Sequence, residues 1–95
     1  MINHELNEEV TALLQQLATK DWAIVLYNDD LNTFDWVIEC LMKYCQHDEV
    51  QAEQCAWFVH TQGRYAVKLG SKIDLKPICE TLLEKGLSAS LEPNK

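Results

Sequence analysis

The sequence has no long apolar stretch and few basic side chains. Its longest unbroken apolar run extends from Trp22 to Tyr27, whereas a membrane-spanning helix needs roughly 18 apolar residues or more. Eight basic residues stand against fifteen acidic ones, for a net charge of −7, which disfavours general nucleic-acid binding because that binding depends on Lys and Arg side chains that neutralise phosphates. The first 20 residues are polar and lack the basic and apolar regions of a secretory signal. We therefore expect a cytoplasmic protein that binds neither a membrane nor nucleic acid.

The sequence also lacks the cysteine spacing of the common zinc sites. No CxxC pair occurs, and the spacing of Cys40, Cys45 and His47 matches no zinc pattern. All the cysteines stand among apolar residues, and without an export signal they are more typical of buried thiols than of disulfides. The cysteines are Cys40, Cys45, Cys55 and Cys79. We predict neither a metal site nor a cofactor.

Catalytic motifs are missing as well. The sequence contains neither a nucleophile elbow nor a glycine-rich phosphate loop. A hydrolase triad of a cysteine, His60 and an aspartate can be drawn, but each cysteine lies at or beside an apolar stripe, which suits packing more than nucleophilic attack. We predict that the protein is not an enzyme and has no catalytic residue.

Hydrophobic periodicity and turn residues predict one small domain. In chain order we expect a helix over 4–19, a strand over 22–27, helices over 33–45 and 48–60, a strand over 64–69, a helix over 75–85 capped by Asp74, and a strand over 87–92. This order is typical of an α+β fold in which a small three-stranded antiparallel sheet packs against three helices, preceded by an N-terminal extension or helix. The corresponding division is an extension over 1–20, a core domain over 21–92 and a loose tail over 93–95.

The negative charge is concentrated in the first half of this predicted core. Residues 21–48 hold six acidic residues and one basic residue, and Asn28, Asp29 and Asp30 follow directly after the first strand. The two central helices are predicted to have equal lengths and a two-residue connection. Antiparallel packing of these helices would bring His60 beside the three polar residues.

An apolar hollow is expected beside these polar groups, formed by Val37, Ala56 and Val59. Amide, carboxylate and neutral imidazole groups can accept hydrogen bonds from a protonated α-amine, and the hollow can hold one bulky side chain. Such a site would recognise a free N-terminus that bears a large hydrophobic residue. A structural Asn-Asp-Asp turn with a hydrogen-bonded His60 is the alternative that the spacing leaves open.

Two motifs give the chain a family resemblance. A strand ends in Asn-Asp-Asp at 28–30, and a Val-His-x-x-Gly motif follows at 59–63. Further matching segments lie at 37–43 and 84–87. With these motifs at the matching separation, residues 22–91 resemble the ClpS family, the adaptors that bring N-degron substrates to the Clp unfoldase–protease.

The resemblance implies a role for each matched position. Asn28, Asp29 and His60 would bind the α-amine of the substrate, and Asp30 would shape the loop. The side-chain pocket would be formed by Asn32, Phe34, Val37, Ala56 and Val59. Three of these positions depart from the family. Asn32 stands where Thr is usual, Phe34 stands at the gate position usually held by Met, and Ala56 stands where Met often lines the pocket. We expect Ala56 to leave room for aromatic N-terminal side chains.

The resemblance also implies a function. The protein would be an adaptor that binds substrates with bulky hydrophobic N-terminal residues and delivers them to a Clp AAA+ unfoldase–protease, through the N-terminal domain of a ClpA-like or ClpC-like partner. Residues 71–77 replace the family's usual TxEVAxTK-like segment. The alternative is an interaction-only domain that binds and modulates a Clp unfoldase without reading N-termini. The leucine stripe in 4–19 is compatible with a docked helix and with a mobile delivery extension.

Overall fold

The computed structural model describes residues 8–94, apart from the side chains of 15–18. The helices and strands are α1 (Glu8–Ala18), β1 (Trp22–Tyr27), α2 (Phe34–Tyr44), α3 (Glu49–Gln62), β2 (Arg64–Gly70), α4 (Lys72–Glu84) and β3 (Ala89–Pro93). The start of the predicted N-terminal helix, 4–7, lies outside the described residues. The described part of α1 contacts α4, while Leu13 and Leu14 on α1 are exposed.

The three strands form one antiparallel sheet in the order β2-β1-β3. The central strand β1 is an unbroken apolar segment, and its residues 23–26 are all buried. Helix α3 contacts β2, and α4 contacts all three strands. Ile24 and Leu26 of β1 pack in one core with Leu41, Leu75 and other apolar side chains of the helices. The predicted α+β fold with a three-stranded antiparallel sheet is confirmed.

The two helices that carry most of the predicted site each begin with a side-chain cap. The Thr33 hydroxyl accepts a hydrogen bond of 3.1 Å from the Trp36 amide at the start of α2. The Asp48 carboxylate accepts one of 2.8 Å from the Gln51 amide at the start of α3. Side-chain acceptors at these positions satisfy amides that have no partner within the helix. Helix α3 runs two residues beyond the predicted end and stops at Gly63, whose φ of 87° is the left-handed conformation that glycine tolerates.

Helix α4 begins earlier than the sequence predicts. The predicted cap was Asp74, but the Ser71 hydroxyl accepts the hydrogen bond from the Asp74 amide, and the Leu75 amide donates to the Ser71 carbonyl. Pro77 consequently lies in the second turn rather than the first. The earlier start buries Leu75 against Gly70, where a Cβ atom would lie 3.2 Å from the Leu75 side chain. Burial of Leu75 and the serine cap offset the backbone hydrogen bond that proline cannot make.

The C-terminal strand extends further than predicted. Strand β3 includes Pro93, and the Asn94 amide donates a hydrogen bond of 2.7 Å to the Asp21 carbonyl. The expected loose tail therefore does not hold for residues 93 and 94, since both are tied to the start of β1. Lys95 lies outside the described residues.

The edge strand β2 contains a β-bulge at Val67. Ile24 pairs with Lys68 and Val25 pairs with Ala66, so Val67 has no partner on β1. His47 Nε2 donates a hydrogen bond of 2.8 Å to the Val67 carbonyl. The buried His47 thereby satisfies a backbone acceptor that is left unpaired within the sheet.

The cysteines are free and buried, as predicted. Burial raises the pKa of the Cys45 thiol to about 11 and raises the pKa of the other three thiols as well. Thiols held in the protonated form are poor nucleophiles. None of the helices described over 8–94 has the length and apolar composition needed to cross a membrane.

Candidate functional site

A cleft of about 510 Å³ lies where the end of β1, the start of α2 and the last turns of α3 meet. The structure brings all nine predicted site residues together around it, with one further residue that the sequence reasoning missed. The lining residues are Asn28, Asp29, Asp30, Asn32, Phe34, Val37, Ala56, Trp57, Val59 and His60.

Backbone contacts explain why these elements converge. The Asn28 amide donates a hydrogen bond of 2.9 Å to the carbonyl of Gly63, the residue that ends α3. The preceding amide, that of Tyr27, donates to the Ser88 carbonyl at 2.9 Å. The end of β1 is therefore tied to both flanking segments, and His60 in the last turn of α3 lies at the cleft.

The Asp29 carboxylate holds the loop after β1 in shape. Oδ1 accepts hydrogen bonds from the amides of Leu31 (2.9 Å) and Asn32 (2.8 Å), and Oδ2 accepts from Asn32 Nδ2 (2.9 Å) and the Ser88 hydroxyl (2.7 Å). Burial raises the pKa of Asp29, but these hydrogen bonds outweigh burial and lower the pKa to about 2. A carboxylate has about four acceptor positions, so the Asp29 side chain is fully engaged.

A second set of contacts joins the loop to the segment between α4 and β3. Asn32 Nδ2 donates to the Gly86 carbonyl at 2.9 Å, and Trp36 Nε1 donates to the Lys85 carbonyl at 3.1 Å. Sequence reasoning missed Trp36, Gly86 and Ser88 as supports of the site. No local pattern could reveal them, because their partners lie about 50 residues or more away along the chain.

Three polar side chains at the cleft remain available to a ligand. Within residues 8–94, no hydrogen bond or ion pair engages the side chains of Asn28, Asp30 or His60, apart from a ring contact of His60 with Trp57 at 6.2 Å between centroids. All three side chains belong to exposed residues. The described lining includes no lysine or arginine, so the electrostatic field at the cleft favours a cation.

A small apolar recess of about 30 Å³ opens beneath the cleft. It shares Val37 and Val59 with the cleft and is extended inward by Leu26 and Leu87, both of which are buried. This volume is large enough for one water molecule but smaller than a leucine side chain. The sequence analysis did not predict the contributions of Leu26, Leu87 and Ser88 to this recess.

Trp57 is the lining residue that the sequence analysis overlooked. It lies one helical turn before His60, and 57 % of its surface is exposed. Phe34, on α2, is 42 % exposed and lines the same cleft. The i, i+3 spacing to His60 was a usable signal, since such residues share one side of a helix. The exposure of the indole, however, depends on tertiary packing.

A second groove, of about 530 Å³, lies between α3 and β2. Glutamine side chains, Phe58, Tyr65 and the bulge residues of β2 line it, and it includes none of the predicted site residues. Its buried histidine, His47, already serves the Val67 carbonyl. The chemistry expected from the sequence is therefore gathered in the first cleft.

Comparisons with known proteins identify the family. Residues 17–90 match the model of the family described as "ATP-dependent Clp protease adaptor protein ClpS". The chain is 36 % identical over 87 residues to the ATP-dependent Clp protease adapter protein ClpS of Thermosynechococcus vestitus, which covers 83 % of this chain and 89 % of that protein.

A eukaryotic relative and a solved structure add to this finding. The chain is 42 % identical over 73 residues to the E3 ubiquitin-protein ligase ubr-1 of Caenorhabditis elegans, covering 77 % of this chain but only 3 % of the ligase. The structure of Agrobacterium tumefaciens ClpS2 bound to L-phenylalaninamide has a TM-score of 0.64 at 20 % identity, covering 76 % of this chain and 94 % of that one, and supports the fold. The chain belongs to the ClpS family of Clp protease adaptor proteins.

Proposed function

We propose that this protein binds substrates with a bulky hydrophobic N-terminal residue through their free α-amine and delivers them to a Clp AAA+ unfoldase–protease. The observation that carries the proposal is the unengaged trio of Asn28, Asp30 and His60 around an acidic cleft with an apolar recess beneath it. An N-degron presents the complementary groups, an ammonium and a large apolar side chain.

The amine would be held by three acceptors. An ammonium donates three hydrogen bonds, and Asn28 Oδ1, the Asp30 carboxylate and a neutral ring nitrogen of His60 can each accept one. Acetylation of the amine would remove the charge and two of the donors. Binding should therefore require a free N-terminus.

The two aspartates of the loop would have roles opposite to those expected from the sequence. Asp29 was expected to contact the amine and Asp30 to shape the loop. The four hydrogen bonds of Asp29 support a loop-holding role, and the unengaged carboxylate of Asp30 supports direct contact with the amine. Asp29 would still contribute negative charge close to the ammonium.

The N-terminal side chain would enter the recess between Val37 and Val59. A volume of about 30 Å³ must widen for a bulky group. Phe34, which is exposed, and Ala56, whose side chain is small, line the cleft outside the recess. Burial of a large apolar side chain contributes about 1.5–3 kcal/mol.

The relatives support this proposal. The Agrobacterium ClpS2 structure contains L-phenylalaninamide, a molecule with a free α-amine, an aromatic side chain and an amide in place of the next peptide bond. The partner would be the N-terminal domain of a ClpA-like or ClpC-like unfoldase in the cytoplasm. The buried thiols with raised pKa values fit an adaptor that performs no chemistry of its own.

The test is fluorescence anisotropy with a labelled peptide that begins with Phe, compared with its N-acetylated twin. We expect the free peptide to bind at least about tenfold more tightly, because charged hydrogen bonds are lost on acetylation. His60→Ala should weaken binding of the free peptide, whereas Val50→Ala, an exposed change on the same helix, should not. Equal affinity for the two peptides would instead favour the interaction-only alternative.

A further inference from the structure

The outer part of the cleft is too large to be explained by the N-terminal residue alone. Asn28, Val37 and Val59 line both the cleft and the recess, whereas the amine acceptors Asp30 and His60 line the cleft alone. The lining residues that belong to the cleft but not to the recess include Phe34 and Trp57, the two large aromatic side chains. A second group of the substrate can therefore occupy the space beside them.

Trp57 lies on the path by which a bound peptide would leave the site. On α3, Ala56 and Val59 are buried, whereas Trp57 and His60 are exposed to solvent. The Trp57 and His60 rings are 6.2 Å apart with a tilt of 46°. A peptide whose amine contacts His60 must continue toward solvent, and the indole is the nearest large surface on this helix.

The groups around the indole favour a planar partner. Glu53 lies four residues before Trp57 on the same side of α3 and is exposed, and Asp30 lines the same cleft. Exposed tryptophan faces bind aromatic rings by stacking and guanidinium groups by cation–π contact. The carboxylates add attraction for the guanidinium.

We infer that Trp57 forms a second subsite that recognises the residue after the N-terminal one, with preference for a planar side chain, either aromatic or arginine. This inference rests on the proposed function, because the amine contact sets the position of the second residue. Trp57 is then a specificity-determining residue in this chain.

The experiment measures dissociation constants for unblocked peptides that begin with Phe and differ only at the second residue. Trp is compared with Leu as an apolar match, and Arg is compared with Lys as a charge match. We expect about 2- to 10-fold tighter binding for the planar member of each pair. Trp57→Leu should abolish both preferences, whereas Val50→Ala should preserve them.

The outcomes separate this inference from the proposed function. If the acetylated peptides bind as well as the free ones, both proposals fail. If binding requires the free amine but Trp equals Leu and Arg equals Lys, only the second subsite is overturned. Preferences that persist in Trp57→Leu would also overturn it, since another residue would then be their source.

Discussion

The Ser88 hydroxyl donates a hydrogen bond of 2.7 Å to the Asp29 carboxylate, across 59 positions of sequence. This contact links the segment before β3 to the loop after β1. It is one of the four hydrogen bonds through which the Asp29 carboxylate holds this loop in shape. The shape of the loop after β1 therefore depends on the distant C-terminal part of the chain.

Acid should destabilise the fold through Asp29. Its pKa in the folded protein is about 2, below the ordinary value of 3.8. The stabilisation is therefore complete above about pH 4 and is lost as the pH falls toward about 2. Because Asp29 is partly exposed, we expect its ionised form to contribute about 1–2 kcal/mol to the free energy of unfolding. Urea unfolding of the wild type and of Asp29→Asn between pH 2 and 7 measures this contribution. The difference in unfolding free energy between the two proteins should shrink as the pH falls. A pH-independent difference would contradict the assignment.

Ser88→Ala should remove part of the stabilisation that the Asp29 carboxylate provides. Loss of one hydrogen bond to a charged acceptor should lower the unfolding free energy by about 1–2 kcal/mol and raise the pKa of Asp29. An NMR titration of the Asp29 carboxyl carbon detects the pKa change directly. An unchanged titration midpoint would show that the contact contributes nothing to the loop.

The two loop aspartates should differ in binding and stability. Asp30→Asn should weaken binding of a free Phe peptide by about tenfold or more and leave the melting temperature nearly unchanged, because the carboxylate has no intramolecular partner among residues 8–94. Asp29→Asn should lower the melting temperature. Calorimetry and anisotropy on the two variants test the exchange of roles, and a stable Asp29→Asn that fails to bind would support the original assignment instead.

Ala56→Met should shift the preference among N-terminal residues. The wild type should bind Phe and Trp peptides better than Leu peptides, because Ala56 leaves space in the cleft wall. The larger side chain should reduce binding of aromatic N-termini more than of Leu. Competition assays with the three peptides provide the measurement, and a severalfold preference of the wild type for Leu would refute the role of Ala56.

Short sequence motifs were enough to predict much of the site. The Asn-Asp-Asp segment after β1 and His60 near the end of α3 could be placed together from helix lengths alone. The start of α4 was predicted wrongly because Ser71 and Asp74 both make good caps, and only the burial of Leu75 decides between them. The proposed division of roles between Asp29 and Asp30 was not predicted; three of the four hydrogen bonds of Asp29 are local, and the fourth comes from the distant Ser88.

The bulge at Val67 also has a consequence for self-association. An edge strand normally offers a row of unpaired backbone groups to a strand of another molecule. In β2, His47 already occupies the Val67 carbonyl and the bulge interrupts the regular spacing, while the opposite edge ends in Pro93, which has no amide to donate. Both edges of this small sheet are thus poor templates for strand addition, which protects the folded adaptor from edge-to-edge aggregation at high concentration.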